Sequence, residues 1–381
     1  MAQGGGDWQR SETLLRSSLR FLRGKWGQQQ PERLPESDDR AGEEEEEKQT
    51  MTTPSALEAL PIDMKLYIMS FLTPKDLSNL GSTNHYWKLT IQDPLLWRYF
   101  LIRDLPSCHS IDWESVPDAN IFNKSFSELH NSASCDYMAA YKKCFSWLKR
   151  CPKPSQPTGA FTSMLQSLIT QTEPRFAMFG PVLEDLDDAL LYRMAACSEI
   201  WPLAGFPSGQ LNGMDSGVTY HLNGQKFNIT LCTETIEESL GVKEVDTDPV
   251  NKVFSAESSV DGKMHYSLNE HLKNMCRLID GFIYIAYADT HERHNRQLEF
   301  DWLAAMLDPV LGPTDRPLLV LSCVACAEIE RIPCVYMAHQ LQLNLLGPQP
   351  WMVQDTETSS LDGLVDGIQW LLEQAKRRNA Q

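Results

Sequence analysis

The sequence has no apolar run near the roughly 18 residues that a membrane-spanning helix needs, and no secretory signal stands at its N-terminus. Its ten cysteines follow no disulfide-framework spacing, so the expectation is reduced thiols in cytosol or nucleus. Basic residues are in deficit: 34 Lys and Arg face 51 Asp and Glu, a formal net charge of −17. That balance argues against broad nucleic-acid binding. No internal repeat is evident. No Ser/His/Asp or Cys/His set assembles, so no catalytic residue is assigned and no cofactor is expected. What remains is an acidic intracellular chain of 381 residues, long enough for two domains plus tails.

Residues 1–56 read as a mostly disordered tail. Residues 31–50 hold nine acids and three bases, including the run Glu43 to Glu47, and such runs stay solvated. Residues 8–26 differ. Leu14, Leu15, Leu19, Leu22 and Trp26 follow helical spacing, with Arg10, Arg16, Arg20, Arg23 and Lys25 between them. This segment reads as a frayed helix or as one that docks on a partner protomer. A membrane-surface helix and a mitochondrial presequence are the sharper alternatives, and the acidic run that follows weakens the second. A helical module then occupies 57–104 and a helical linker 105–159, in which Tyr137 to Tyr141 reads as helix. The linker ends in the proline-punctuated stretch Cys151 to Gly159.

From 160 to 381 the pattern changes. Phe161 to Ile169 looks helical, and Arg175 to Gly180 is a short apolar run. Phe227 to Cys232 alternates like a half-buried strand. Phe282 to Tyr287 and Pro317 to Ser322 are near-continuous apolar runs, as central parallel strands require. Helical segments between them predict an α/β domain with a largely parallel sheet. Residues 233–265 are polar and read as a mobile loop.

The module at 57–104 is the most informative stretch. Leu60-Pro61 opens a first helix, Pro61 suiting a helix start because its missing N–H is not needed there. Ile62, Leu66, Met69 and Leu72 line one stripe, with Tyr67, Ile68 and Phe71 beside it. Pro74 and Asp76 start a second helix carrying Leu77 and Leu80. Trp87 and Trp97 read as internal anchors. Three short helices cannot bury the leading Leu60-Pro61-Ile62 and the Ile68/Phe71/Leu72 face unaided. In its Leu-Pro start, its Phe-Leu pair, its Pro-x-Asp-Leu step, its third-helix Trp and its closing Leu-Trp, this stretch resembles an F-box. The segment Leu80-Gly81-Ser82-Thr83-Asn84 departs from the Val-Cys pair of many F-boxes. The resemblance implies that Leu60, Pro61, Ile62, Ile68, Leu72 and Leu77 contact the Skp adaptor of an SCF ubiquitin ligase.

Near the C-terminus, Trp351-Met352-Val353-Gln354 leads into a helix with Leu361, Leu364, Val365, Ile368 and Leu371 on one side. This resembles the last strand and helix of Arf-like small GTPases. The GTPase chemistry is missing. A phosphate-cradling loop needs G-x-x-x-x-G-K-[ST]. After Gly180 the chain instead reads Pro181-Val182-Leu183-Glu184-Asp185-Leu186-Asp187-Asp188, with no lysine and with four carboxylates that repel a triphosphate. No Asp-x-x-Gly follows Cys232. Where guanine recognition needs Asn-Lys-x-Asp, the chain offers Cys323-Val324-Ala325-Cys326.

That cysteine pair, with Cys334 and His339 beyond it, has zinc-compatible ligand types but no paired spacing for the later ligands. Core or surface thiols are expected and no metal is assigned. His291, Glu292 and His294 read as a solvated helix start. Cys334 and Ala338, four residues apart, put two small residues on one helical face. They are the candidate substrate-binding residues, with inward packing of that face as the alternative.

Taken together the chain resembles an F-box substrate receptor with a three-helix F-box, a helical linker and a C-terminal small-GTPase-like α/β domain. The resemblance implies an SCF complex of Skp adaptor, cullin and RING subunit. It implies a telomeric-repeat-binding factor and a D-type cyclin as substrates, and self-association through the N-terminal region. It implies neither bond chemistry, nor nucleic acid, nor membrane as a partner, and a cytoplasmic location with the nucleus as a second compartment. A regulatory GTP-binding protein and an F-box scaffold outside ubiquitin transfer are the alternatives.

Overall fold

The computed structural model describes residues 55–118, 136–146, 173–181, 183, 189–196, 202–205, 217–232, 254–258, 264–290 and 294–379. They fall into two compact units: those within Met1–Arg103 and Asn120–Tyr141, and those within Asp104–Ala119 and Lys142–Gln381. The readings at 1–54, at Cys151 to Gly159, at Phe161 to Ile169 and at His291 and Glu292 lie outside the described residues.

The first unit is helical, and each start is written in local sequence. Helix α1 (Ile62–Met69) begins after Pro61. Helix α2 (Pro74–Gly81) has a capping box: Thr73 Oγ1 accepts from the Asp76 N–H at 3.2 Å, and the Asp76 carboxylate accepts from the Thr73 N–H at 3.4 Å. Helix α3 (His85–Thr90) is capped by Asn84, whose side chain accepts from the Trp87 N–H at 2.9 Å. Asp93-Pro94 then divides the helical stretch. Pro94 has no N–H to donate backwards, and α4 (Pro94–Asp104) starts afresh, with Asp93 Oδ1 accepting from the Leu95 N–H at 2.8 Å. Leu66, Met69, Leu77, Trp87, Leu96, Trp97, Phe100 and Leu101 are buried. Both tryptophans are thus internal, and Trp97 Nε1 donates to the Ile91 carbonyl at 2.5 Å. Helix α5 (Tyr137–Ser146) brings the Tyr141 ring to 5.3 Å from Trp97.

The second unit is built on an eight-stranded sheet in the order β1-β10-β9-β8-β2-β5-β4-β3 among the described residues. The strands are β1 (Ser110–Asp112), β2 (Arg175–Phe179), β3 (Leu203–Gly205), β4 (Val218–Leu222), β5 (Gln225–Leu231), β8 (Gly281–Tyr287), β9 (Leu318–Val324) and β10 (Trp351–Glu357). β10, β9, β8, β2 and β5 run parallel, and β1, β4 and β3 add antiparallel edges. Five parallel strands in that order, with antiparallel β4 beyond β5, give the small-GTPase-like arrangement that the C-terminal residues implied. Helices α6 (Ala189–Ala196), α7 (Glu270–Cys276), α8 (Arg296–Met306), α9 (Cys334–Gln340) and α10 (Leu364–Asn379) lie between or after the strands.

Apolar alternation fixes which residues face α10. Leu319, Leu321, Cys323 and Met352 share a buried cluster with Leu364, Ile368, Leu371, Leu372 and Ala375. Burying each large aliphatic side chain is worth about 1.5–3 kcal/mol, so this contact anchors the C-terminal helix to the sheet.

Two segments differ from the sequence expectation. Residues 105–118, placed in a helical linker, hold a short 3-10 turn at Leu105–Ser107 and then strand β1. The strand pairs Ile111 with Val353 of β10. It ends where Asp112 Oδ1 accepts from the N–H groups of Glu114 and Ser115, at 3.1 and 2.7 Å. A three-residue edge strand is too short to show periodicity. The second case is the polar stretch 233–265. Within it and just beyond, β6 (Phe254–Ser258) and β7 (Met264–Leu268) form a separate antiparallel hairpin. Phe254 stacks on Trp302 of α8, with centroids 5.3 Å apart and rings 5° from parallel, so an aromatic contact anchors the hairpin on α8. Residues 233–253 and 259–263 lie outside the described residues.

Candidate functional site

Helix α1 is apolar on both sides. Inward it buries Leu66 and Met69. Outward, Met64, Tyr67 and Ile68 follow i, i+3, i+4 spacing, which puts them on one face, and Phe71, in the turn just past the helix, lies against that face through Tyr67. They are 47, 46, 39 and 71% exposed, so nothing among the described residues covers that face. Tyr67 and Phe71 meet edge-on with centroids 5.0 Å apart. On α3, Tyr86 and Leu89 are exposed as well. The buried Lys65 joins the two helices, its Nζ donating to the Tyr86 hydroxyl and lying 4.8 Å from that ring. Scattered exposed apolar residues are ordinary, but a contiguous set rimmed by polar ones marks a protein-binding surface.

The six adaptor-contact residues expected from sequence divide three ways. Pro61 and Ile68 are exposed. Leu60, Ile62 and Leu72 are half-buried. Leu77 is fully buried and is corrected to a core residue: on an eight-residue helix capped by Thr73, it faces into the bundle. Met64, Tyr67, Tyr86 and Leu89 belong to the outward surface and were not among the contacts expected from sequence. The i, i+3, i+4 spacing of Met64, Tyr67 and Ile68 is the signal that could have found the first two.

In the second unit the expected substrate face is not exposed. Cys334 and Ala338 are 0 and 3% exposed, and Cys334 Sγ donates to the Cys108 carbonyl at 3.1 Å. Their assignment as surface substrate contacts is therefore corrected to the inward alternative. Small residues here let α9 lie close against β10 and the 105–112 segment. Burial pushes the Cys334 thiol well above its ordinary range and the Cys323 thiol up to about 12, so neither is poised as a thiolate. Among the described residues no group of three or more His, Cys, Asp or Glu is placed to hold a metal ion. His294 is half-buried and stacks on Tyr287 at 5.1 Å rather than facing solvent.

At the carboxyl edge of the sheet, where nucleotide folds take their ligands, side chains of this chain tie the strand ends together. Arg331 Nη2 donates to the carbonyls of Ser322 at 2.6 Å and Thr356 at 3.3 Å, and its Nε lies 3.5 Å from the Asp355 carboxylate. Glu299 is buried, accepts from Tyr284 Oη at 2.8 Å and pairs with Arg296 at 2.9 Å. Of the Pro181 to Asp188 stretch only Pro181 and Leu183 are described.

Burial drives the Asp355 carboxyl up to about 7, against the opposing pull of Arg331. A folded-state value above the ordinary 3.8 means that the fold binds this proton more tightly than the unfolded chain does. The contribution is full below pH 3.8 and is lost as pH rises through about 7. Asp355→Asn, which mimics the neutral acid, is expected to raise the melting temperature at pH 8, with the gain shrinking towards pH 5. Thermal melts of both proteins across that range check it, and a pH-independent offset would refute the buried-acid account.

A helical bundle with an uncovered apolar face at its first helix, followed in sequence by an α/β domain, is the plan of an F-box protein. A family profile described as F-box-like matches residues 57–103. The chain is 46% identical over 380 residues to F-box only protein 4 of Homo sapiens, covering 98% of this chain and 95% of that one. It is 47% identical to the Bos taurus protein, with the same coverage, and 46% identical to that of Mus musculus, covering 98% and 96%. The chain belongs to the F-box only protein 4 family. Among solved structures, the Arl6 BBS3 small GTPase from Trypanosoma brucei aligns over 54% of this chain and 99% of its own, at 13% identity and a TM-score of 0.30. At that score the likeness decides nothing, and the fold rests on strand order.

Proposed function

We propose that this chain is the substrate-recognition subunit of an SCF ubiquitin ligase. The outward face of α1 and the adjoining Tyr86 and Leu89 bind the Skp adaptor, and through it the cullin and RING subunit. The second unit recruits protein substrates. The observation that carries the reading is the uncovered stripe Met64, Tyr67, Ile68 and Phe71 on a module matched by the F-box-like profile. The mechanism is proximity: the receptor forms and breaks no bond, and holds acceptor lysines near a charged conjugating enzyme, raising their effective concentration. A telomeric-repeat-binding factor and a D-type cyclin are the substrates proposed, ubiquitinated for proteasomal degradation in cytoplasm and nucleus. Self-association through the N-terminal region is part of the same reading.

Among the described residues no helix is long and apolar enough to cross a membrane. The missing phosphate, magnesium and guanine motifs support protein recruitment over nucleotide turnover.

The test is a pull-down of the full chain. The wild type is expected to retain the Skp adaptor and cullin, and the Pro61→Ala/Ile68→Ala double variant to lose both. Retention of the adaptor by the variant would overturn the site. Retention of adaptor without cullin by the wild type would point to a scaffold outside ubiquitin transfer. Micromolar, magnesium-dependent guanine-nucleotide binding would return the second unit to the GTPases.

A further inference from the structure

Helix α1 presents the apolar face, and the chain just past it closes its last carbonyls: those of Leu66, Tyr67, Ile68 and Met69 accept from the N–H groups of Ser70, Phe71 and Leu72. It carries no basic residue in its last turn and is capped by Ser70 in a right-handed helical conformation, without the left-handed glycine that commonly ends helices. What the local bonds leave over is the carbonyl of the cap residue Ser70, which needs a donor from elsewhere. One comes from 33 residues away: Arg103, at the end of α4, donates from Nη1 to the Ser70 carbonyl at 3.1 Å. Its guanidinium lies 4.5 Å from the centroid of the fully buried Phe100 ring and 5.6 Å from that of Tyr99. A cation over an aromatic face is held there, and a cation at a helix C-terminus is favoured by the helix dipole.

Ser70 is itself buried, and its hydroxyl turns back to the Tyr67 carbonyl at 2.6 Å. The next two residues are the exposed Phe71 and the half-buried Leu72. Their N–H groups donate to the carbonyls of Ile68 at 3.2 Å and Met69 at 3.0 Å. The direction in which the chain leaves α1 therefore sets where Phe71 points, and the carbonyl at that exit is bonded to Arg103.

We propose that Arg103 is a positioning residue for adaptor docking: it fixes the exit of α1 and thereby holds Phe71 edge-on to Tyr67 in the binding face. Arg103 acts through Ser70 and Phe71. This inference rests on the adaptor-docking reading above, but the local geometry it describes can be read without the adaptor.

The experiment uses the full chain and purified Skp adaptor. Arg103→Ala is expected to weaken binding about tenfold, and about twofold or less when Phe71→Ala is already present, because a residue that acts through Phe71 loses its effect once Phe71 is gone. Arg103→Lys, which keeps the charge and a donor, restores most of the affinity. Equal losses with and without Phe71, or no loss at all, overturn the proposal. Amide hydrogen exchange of the free chain separates the two readings. Arg103→Ala speeds exchange at Phe71 and Leu72 while the core amides of Leu77 and Trp87 keep their protection. If those two amides do not change, Arg103 positions nothing, however the adaptor binds. If they change but the wild type does not bind the adaptor, the docking reading fails and the capping role stands. A variant that unfolds exposes itself by exchange throughout the bundle, and the Arg103→Lys variant then decides, with slow exchange at Phe71 and Leu72 expected and fast exchange there sinking the proposal.

Discussion

Phe71→Glu is expected to reduce Skp-adaptor affinity by roughly a hundredfold or more while leaving the fold intact. Phe71 is 71% exposed in the free chain, so its replacement removes little internal packing, and exposed substitutions usually stay within about 0.5 kcal/mol of the parent. In the proposed complex the same ring would be desolvated, and truncation of a central aromatic anchor costs about 2–4 kcal/mol, to which a buried, unpaired carboxylate would add. Leu77→Ala supplies the contrast. Leu77 has no exposed surface, and deleting a buried leucine side chain costs about 2–5 kcal/mol of stability. Titration calorimetry with the adaptor and a thermal melt separate the two: Phe71→Glu loses binding at an unchanged melting temperature, and Leu77→Ala loses melting temperature first. A Phe71→Glu protein that binds like the wild type would remove α1 from the interface.

The largest effect on stability is expected at Gly363, just ahead of α10. Its φ is +80°, and a Cβ placed there would lie 2.0 Å from the Asp355 carbonyl oxygen and 3.0 Å from Gln354 Nε2. A backbone oxygen cannot swing aside as a side-chain end can. Gly363→Ala should therefore cost at least about 3 kcal/mol, a fall of roughly 6–12 °C for a domain of this size. Gly224, in the turn between β4 and β5, is the control. It has the same φ of +80°, but an added methyl would meet nothing within 4 Å among the described residues. Gly224→Ala thus carries only the left-handed cost of about 1–2 kcal/mol. Differential scanning calorimetry of the two variants isolates the clash from the dihedral, and equal shifts would show that no clash exists.

How much of this was legible follows from how each element is made. The runs Phe282 to Tyr287 and Pro317 to Ser322 read as central strands because both faces are covered, and they are β8 and β9. Pro74 and Asp76 likewise placed the start of α2. Strand β4 was signalled by Asn223-Gly224, whose φ values of +49° and +80° suit the tight turn for which such a pair is the strongest short-range sign. The strand it closes, Val218 to Leu222, went unread although its residues alternate apolar and polar.

The site was legible as chemistry but not as orientation. Sequence placed Ile68 and Leu77 together as adaptor contacts, yet one is exposed and the other buried, since a family pattern records apolar positions without saying which side a partner covers. Cys334 and Ala338 show the same limit. Their spacing defined a small-residue face, and only the strand at Ser110–Asp112, invisible to periodicity, explains why that face turns inward.

That strand bears on where the chain can be cut. The proline-punctuated stretch near 151–159 invites a fragment beginning at 160. Such a fragment would start beyond Ser110–Asp112 and leave one side of β10 with its peptide groups unpaired. Residues 351–354, Trp-Met-Val-Gln, would then offer an apolar, charge-free margin to the next molecule, the setting in which sheets join edge to edge. A receptor half prepared that way should self-associate, and its apparent partners would include copies of itself.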